Sequence, residues 1–225
     1  MTGAGLRVVL LGPPGAGKGT QARKLSESFV VPDISTGDIF RNAVTQRTPM
    51  GMAAKRFIDR GELVPDDVTI LIVEERLAQP DAAAGFILDG FPRTVHQATA
   101  FDAMLAAMDK TLDAVIEISV PRELLIQRLT QRATCTNCQA SYHLTDAPPK
   151  TAGVCDRCGG TLVHRDDDSA KMVLHRLEVH DAQTAPLVSY YKGAGLLRTV
   201  DGTQPIDAVF SAIVAAAAPQ GGRAA

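Results

Sequence analysis

The nine residues Gly12-Pro13-Pro14-Gly15-Ala16-Gly17-Lys18-Gly19-Thr20 could do chemistry almost by themselves. Glycine has no Cβ, so Gly15, Gly17 and Gly19, interleaved with Ala16 and Lys18, let the backbone curl and aim several N–H groups at one point. Lys18 adds a mobile positive charge, and a helix opening behind the loop adds its positive N-terminal end. Such a cradle suits the phosphates of a nucleoside triphosphate, with Lys18 directed at the β- and γ-phosphates. The usual pattern places Ser or Thr directly after the lysine, where its hydroxyl binds Mg²⁺. Here Gly19 stands in that place and Thr20 follows, which marks a subclass of the loop.

A phosphate donor needs an acceptor, and three further stretches carry suitable groups. They are Ile34-Ser35-Thr36-Gly37-Asp38 with Arg41 beyond it, Gly61-Glu62-Leu63-Val64-Pro65-Asp66, and Leu88-Asp89-Gly90-Phe91-Pro92-Arg93 with Gln97 beyond it. Asp89 ends an apolar run, the carboxyl end of a strand where ligands bind in parallel sheets. A carboxylate there can hold Mg²⁺, directly or through water. Arg93 offers a planar fork that matches a phosphate, and on a helix Gln97 would share its face. Asp38 reads equally well as a helix cap or as a ligand.

Cys135-x2-Cys138 and Cys155-x2-Cys158 hold all four cysteines of the chain. The spacing matches a zinc ribbon, and four thiolates make a closed, structural shell. Two disulfides or four idle thiols are the alternatives. Residues 132–168 are poor in apolar side chains, so a metal would supply stability that this segment cannot draw from a core.

The elements that must position these groups are legible as apolar runs. Leu6–Leu11, Val31–Ser35, Phe86–Asp89, Ala114–Val120 and Leu196–Val200 read as buried strands, mostly separated by helical patterns. This alternation predicts an α/β fold around a parallel sheet. Asp66 or Asp67 is expected to cap a helix to Ala78, and Thr94 one to Met108. Ile206, Val209, Phe210, Ile213 and Val214 share one helical face that should pack on the core. The Gly/Ala-rich tail Pro219–Ala225 is expected to fray. Residues 36–65 and 132–168 interrupt the alternation and read as insertions, leaving 1–35, 66–131 and 169–225 as the core.

Composition narrows the function classes. The chain has 225 residues and a net charge of −2, without the basic excess usual in duplex-binding proteins. No apolar run approaches the ~20 residues needed to cross a bilayer. No secretory pattern is visible at Met1–Arg7, so a cytoplasmic setting without nucleic-acid or membrane partners is expected.

The phosphate loop, Ile-Ser-Thr-Gly-Asp, Gly-Glu-Leu-Val-Pro-Asp, Leu-Asp-Gly-Phe-Pro-Arg, Pro148-Pro149-Lys150, Arg165-Asp-Asp-Asp and Arg176-Leu-Glu occur in this order from Val8 to about Asp201. In this the chain resembles the adenylate kinases, specifically the long bacterial type with a zinc-binding lid. The resemblance implies a P-loop nucleotide-binding fold with a five-stranded parallel sheet, an AMP-binding insertion and a small lid. It implies reversible transfer between MgATP and AMP giving ADP, by a monomer with Mg²⁺ and a structural Zn²⁺. Residues 15–20, Arg128, Arg132 and Gln204 would face ATP. Thr36, Arg41, Glu62, Leu63, Val64, Gly90, Arg93 and Gln97 would face AMP. Arg132, Arg165 and Arg176 would surround the transferring group with Lys18 and Arg93, oriented by Asp167 and Asp168, and Asp89 would hold Mg²⁺ through water. Where these proteins commonly carry Lys after the first lid arginine, this chain has Asp166, a change that would bear on lid opening. The rival readings are a kinase for UMP, CMP or GMP, and a P-loop ATPase whose ribbon binds protein or RNA.

Overall fold

The computed structural model describes residues 5–145 and 147–218, with nothing described of the Asp166 side chain. The Pro219–Ala225 tail and the Asp166 side chain, both singled out in the sequence, thus lie outside what is described.

β1 (Arg7–Leu11) leads through the glycine loop into α1 (Lys18–Phe29) and then β2 (Asp33–Ser35). The first insertion holds α2 (Thr36–Thr45) and α3 (Pro49–Ile58). The chain returns through α4 (Asp66–Leu77), β3 (Phe86–Asp89), α5 (Val95–Ala107), β4 (Ala114–Ser119) and α6 (Arg122–Thr130). A small antiparallel sheet follows, made of β5 (Arg132–Cys135), β6 (Ser141–His143) and β7 (Leu162–Val163). The C-terminal part runs through α7 (Ala170–Val179), a π-helical turn His180–Thr184, α8 (Pro186–Gly193), β8 (Leu197–Asp201) and α9 (Ile206–Ala217).

The main sheet has the order β2-β3-β1-β4-β8, and every pairing in it is parallel. Its strands are β-branched and apolar because both faces are covered. Val8, Leu10, Ile116 and Ile118 pack on one side with Leu25, Leu177 and Ile213. Val9, Leu88 and Val115 pack on the other with Phe91, Phe101 and Tyr191. Each such fully buried side chain is worth on the order of 2 kcal/mol, which makes the sheet a rigid platform. β1, β2 and β3 run the same way, so their carboxyl ends deliver the glycine loop, Ser35 and Asp89 to one edge.

Three local expectations need correction. Asp66 and Asp67 do not cap α4: Pro65 precedes the helix, and both acids lie in its first turn. The Asp66 carboxylate instead accepts hydrogen bonds from Gln97 Nε2 at 2.7 Å and Thr94 Oγ1 at 2.7 Å, locking α4 to α5. Asp38 is not the cap of α2 either, because Ser35 Oγ accepts from the Asp38 N–H at 3.2 Å and fills that role. The Asp38 carboxylate pairs with Arg41. Ile206 lies at the start of α9 and is 46% exposed, while Val209, Ile213 and Ala217 make the buried face. Thr94 does cap α5, its hydroxyl accepting from Gln97 N–H at 3.1 Å.

Candidate active site and cysteine centre

A single cleft of about 790 Å³ runs along the carboxyl edge of the main sheet, a size suited to small-molecule ligands. Its walls come from the glycine loop, both insertions, α7, the π-helical turn and the β8–α9 connection. Every non-cysteine residue singled out from the sequence as a candidate ligand lies on this wall.

The loop is folded around its own lysine. Lys18 Nζ donates to the carbonyl oxygens of Gly12 at 2.8 Å and Pro13 at 3.0 Å. Gly15 has φ +86°, and a Cβ there would lie 3.0 Å from Leu129 Cγ, so the turn requires glycine. A Cβ on Gly19 would stand 3.3 Å from Asp89 Oδ2, so the carboxylate occupies the space beside that position. Burial lowers the Lys18 ammonium to about 8; Asp89 opposes the shift, while Arg93, Arg176 and Arg132 add to it.

Five arginines from separate segments line the same cleft as this lysine. Arg93 Nε donates to Gly90 O at 2.8 Å, its N–H to Gln97 Oε1 at 2.8 Å, and its carbonyl accepts from Thr184 Oγ1 at 2.9 Å. Arg132 grips Asp168 with two donors at 2.6 and 2.7 Å, and Arg176 reaches the same carboxylate at 3.0 Å and Asp167 at 2.9 Å. Asp168 is only 6% exposed, so these contacts hold a buried charge and fix both guanidinium groups. Arg165 Nε donates to Thr134 Oγ1 at 2.9 Å. Arg41 pairs with Asp38, and its Nε is buried without a partner. Burial, followed by repulsion from neighbouring guanidinium groups, holds Arg93 and Arg165 below the ordinary arginine range. This clustering of cations has a physical resolution in a bound polyanion.

The acceptor side is more committed. Thr36 Oγ1 donates to Gly90 O at 2.8 Å, and the Gln97 amide is bonded to Arg93 and Asp66 at its two ends. Glu62, Leu63 and Val64 complete that wall. The adjoining Gly61 lies against α7, where a Cβ would meet Met172 Sδ at 2.6 Å. On the other side, Arg128 donates to Gly202 O at 2.9 Å and Gln204 to Asp201 at 2.8 Å, both beside the glycine loop's end of the cleft.

Sequence reasoning missed several wall residues. Asp33 sits inside an apolar run, where a charge is itself a signal. Burial, then Asp89 and Asp38, push its carboxyl up to about 7 against the pull of Arg23, and its Oδ1 is buried without a partner. His180 carried no signal, since only the fold brings it near Lys18 and Arg93. Tyr142 and Ser141 reach the cleft from β6.

The four cysteines stand apart from the cleft floor. Cys135 and Cys158 Sγ are 3.5 Å apart, Cys138 and Cys155 Sγ 3.6 Å, and the four sulfurs lie within 4.8 Å of one another. A tetrahedral zinc with ~2.3 Å bonds needs sulfurs about 3.8 Å apart, so the set fits that ion. The two turns are built alike. Cys135 N–H donates to Ala140 O and Gln139 N–H to Cys135 O, just as Cys155 N–H donates to Gly160 O and Gly159 N–H to Cys155 O. A Cβ on Gly160 would crowd Cys135 Sγ at 2.9 Å, which explains the second glycine. The Tyr142 hydroxyl lies 3.5 Å from Cys155 Sγ.

Comparison with known proteins agrees with this geometry. The family model of adenylate kinase matches residues 10–196. A protein of Carboxydothermus hydrogenoformans named adenylate kinase is 55% identical over 208 residues, covering 92% of this chain and 97% of its own. One of Geobacter sp. strain M21 with the same name is 56% identical over 211 residues, covering 94% and 99%. One of Moorella thermoacetica, again so named, is 55% identical over 208 residues, covering 92% and 96%. This chain therefore belongs to the adenylate kinase family.

Proposed function

We propose that the protein transfers a phosphoryl group reversibly between MgATP and AMP, yielding two ADP, and so balances the adenine nucleotide pool. The observation that carries this reading is the placing of Lys18, Arg93, Arg132 and Arg176 on the wall of one cleft, with Asp89 beside the glycine loop. Donor and acceptor phosphates are anions that suit such a site.

The chemistry asks little of the protein beyond position and charge. The AMP phosphate is largely a dianion near neutrality, with a second pKa of about 6, so its oxygen needs no base. That oxygen forms a bond to the γ-phosphorus as the bond to the β-phosphate oxygen breaks, and ADP leaves. Lys18 and the loop N–H groups hold the donor. Arg41 and Arg93 hold the acceptor in line, and Arg132, Arg165 and Arg176 offset charge that develops on the transferring group. Mg²⁺ bound with ATP would neutralise part of the phosphate charge, and Asp89 is the residue that would hold it through water. Thr36 supports the choice of adenine. Its proton is committed to Gly90 O, which leaves it an acceptor for an amino group.

Residues 36–65 and 132–168 act in this reading as the AMP-binding insertion and the lid, closing over the substrates to exclude water. The four cysteines hold a structural zinc. Clustered free thiols suit a reducing cytoplasm. Among the described residues no helix is long and apolar enough to cross a membrane. The family resemblance supports a monomer, with nucleotides rather than nucleic acid as partners.

The test is ADP formation from MgATP with AMP, UMP, CMP or GMP offered singly. The reading expects fast turnover with AMP and slow turnover with the others. Equal turnover with UMP or CMP would move the protein to another acceptor class.

A further inference from the structure

Tyr142 belongs to two places at once. It forms part of the cleft wall beside Ser141 and His143. It lies on β6 opposite Ala133 of β5, the strand that also carries Arg132 and Cys135. Its hydroxyl oxygen accepts a hydrogen bond from the Asp156 N–H at 2.8 Å. The hydroxyl proton then has Cys155 Sγ as its neighbour at 3.5 Å, an ordinary separation for a sulfur acceptor. A metal-bound thiolate would carry no proton, so with a metal in place the tyrosine would donate and the sulfur accept.

We infer that Tyr142 is a positioning residue that couples the four-cysteine centre to the nucleotide cleft, its hydroxyl orienting Cys155 while its ring meets the bound donor nucleotide. The inference rests on the zinc and MgATP readings above. Two features give it physical content. The Cys155 turn is held by its own backbone bonds, Cys155 N–H to Gly160 O at 2.8 Å and Gly159 N–H to Cys155 O at 2.9 Å. A shift of the hydroxyl is therefore felt by the turn as a unit rather than absorbed by a loose loop. The small cluster around it, Cys135, Ala140 and Cys155 with Tyr142 and Leu162 packed against them, offers little other material to transmit or damp that shift. Partners outside the ligand shell commonly set metal affinity by one to two orders of magnitude. By linkage, a nucleotide that moves the ring changes metal affinity by the factor by which the metal changes nucleotide affinity.

The test uses the full-length protein. Zinc affinity is measured by competition with a chromophoric chelator, with and without a non-hydrolysable ATP analogue and Mg²⁺, for wild type and Tyr142→Phe. Cobalt-substituted samples report the sulfur-to-metal charge-transfer band. The inference expects about tenfold weaker metal binding in the variant and a shifted cobalt band. It also expects wild-type zinc affinity to change severalfold on adding the nucleotide, a response that the variant loses. The wild-type response needs no variant and so stands even if Tyr142→Phe folds poorly. Unchanged metal affinity and cobalt spectrum in a folded variant, or a wild-type affinity indifferent to nucleotide, would overturn the coupling while leaving the zinc reading intact. A wild-type protein that takes up no metal would overturn the zinc reading and the coupling together.

Discussion

In the main sheet Val8, Val9, Ile87, Leu88, Val115 and Ile116 are sealed from solvent, and two layers of helices cover them. In the small sheet β5–β7 the buried residues Ala133, Thr134 and Cys135 all belong to one strand, and the apolar cluster beside them is centred on two sulfurs and an alanine. One region is held by the burial of apolar surface; the other, in the reading proposed above, would gain its stability when a metal joins its thiols. The division suits the work. In the proposed reading a platform that holds Lys18, Asp89 and Arg93 in fixed relation draws on a deep core, whereas a segment proposed to open and close over substrate is kept thin and would be stapled internally.

The largest effect should come from the cleft and leave the platform untouched. Arg93→Ala is expected to lower kcat by about 10²–10³-fold with Tm nearly unchanged, measured by coupled assay and thermal melting. Equal activity would remove Arg93 from the site. The reverse pattern is expected at the platform: Leu88→Ala should cost about 3 kcal/mol of global stability in a urea titration. A loss below 1 kcal/mol would mean that the sheet is not what holds the molecule together.

The cysteine module should respond differently from both. Chelation, or Cys135→Ser, is expected to lower Tm by several degrees while activity in the cold falls less than twofold. An unchanged melting curve would contradict a structural metal.

Asp33 sharpens the comparison from within the platform. Its carboxyl is raised to about 7 in the folded protein against 3.8 for the free group, mainly by burial. Between those values the folded state holds a proton that the unfolded state has released, so stability falls as pH rises from about 4 to 7. Asp33→Asn should remove that slope and gain about 2 kcal/mol at pH 8. A wild-type slope that survives the substitution would assign it elsewhere. The smallest effect concerns Lys18, lowered to about 8. Its charged form binds phosphate, so kcat/KM for MgATP should fall about tenfold per pH unit above that value. A flat profile up to pH 10 would show that Lys18 stays protonated.

The same contrast governs what the sequence could reveal. The five strands of the platform were legible within a residue or two, most clearly β1, β3 and β4, which are dense apolar runs. The strands of the small sheet, two to four residues long, carry no period to read, yet the cysteine spacing marked the region. The glycine loop declared itself by composition. Arg132, Arg165 and Arg176 were reached only through the family resemblance, since an arginine near a helix end looks like any surface residue until the fold sets Asp167 and Asp168 against Arg132 and Arg176. Asp66 misled because an acid before an apolar helix is a good cap, and only the docking of α5 shows that its oxygens are wanted by Thr94 and Gln97. Tyr142 and His180 belong to the cleft through tertiary placement alone.

The most direct measurement follows the phosphorus itself. The protein is mixed with ATP labelled at the γ-phosphate, Mg²⁺ and AMP, quenched within one turnover, and its products separated. The account predicts label in ADP, with negligible inorganic phosphate. Label released as inorganic phosphate at the same rate with or without AMP would contradict it, leaving a hydrolase whose arginines serve another purpose.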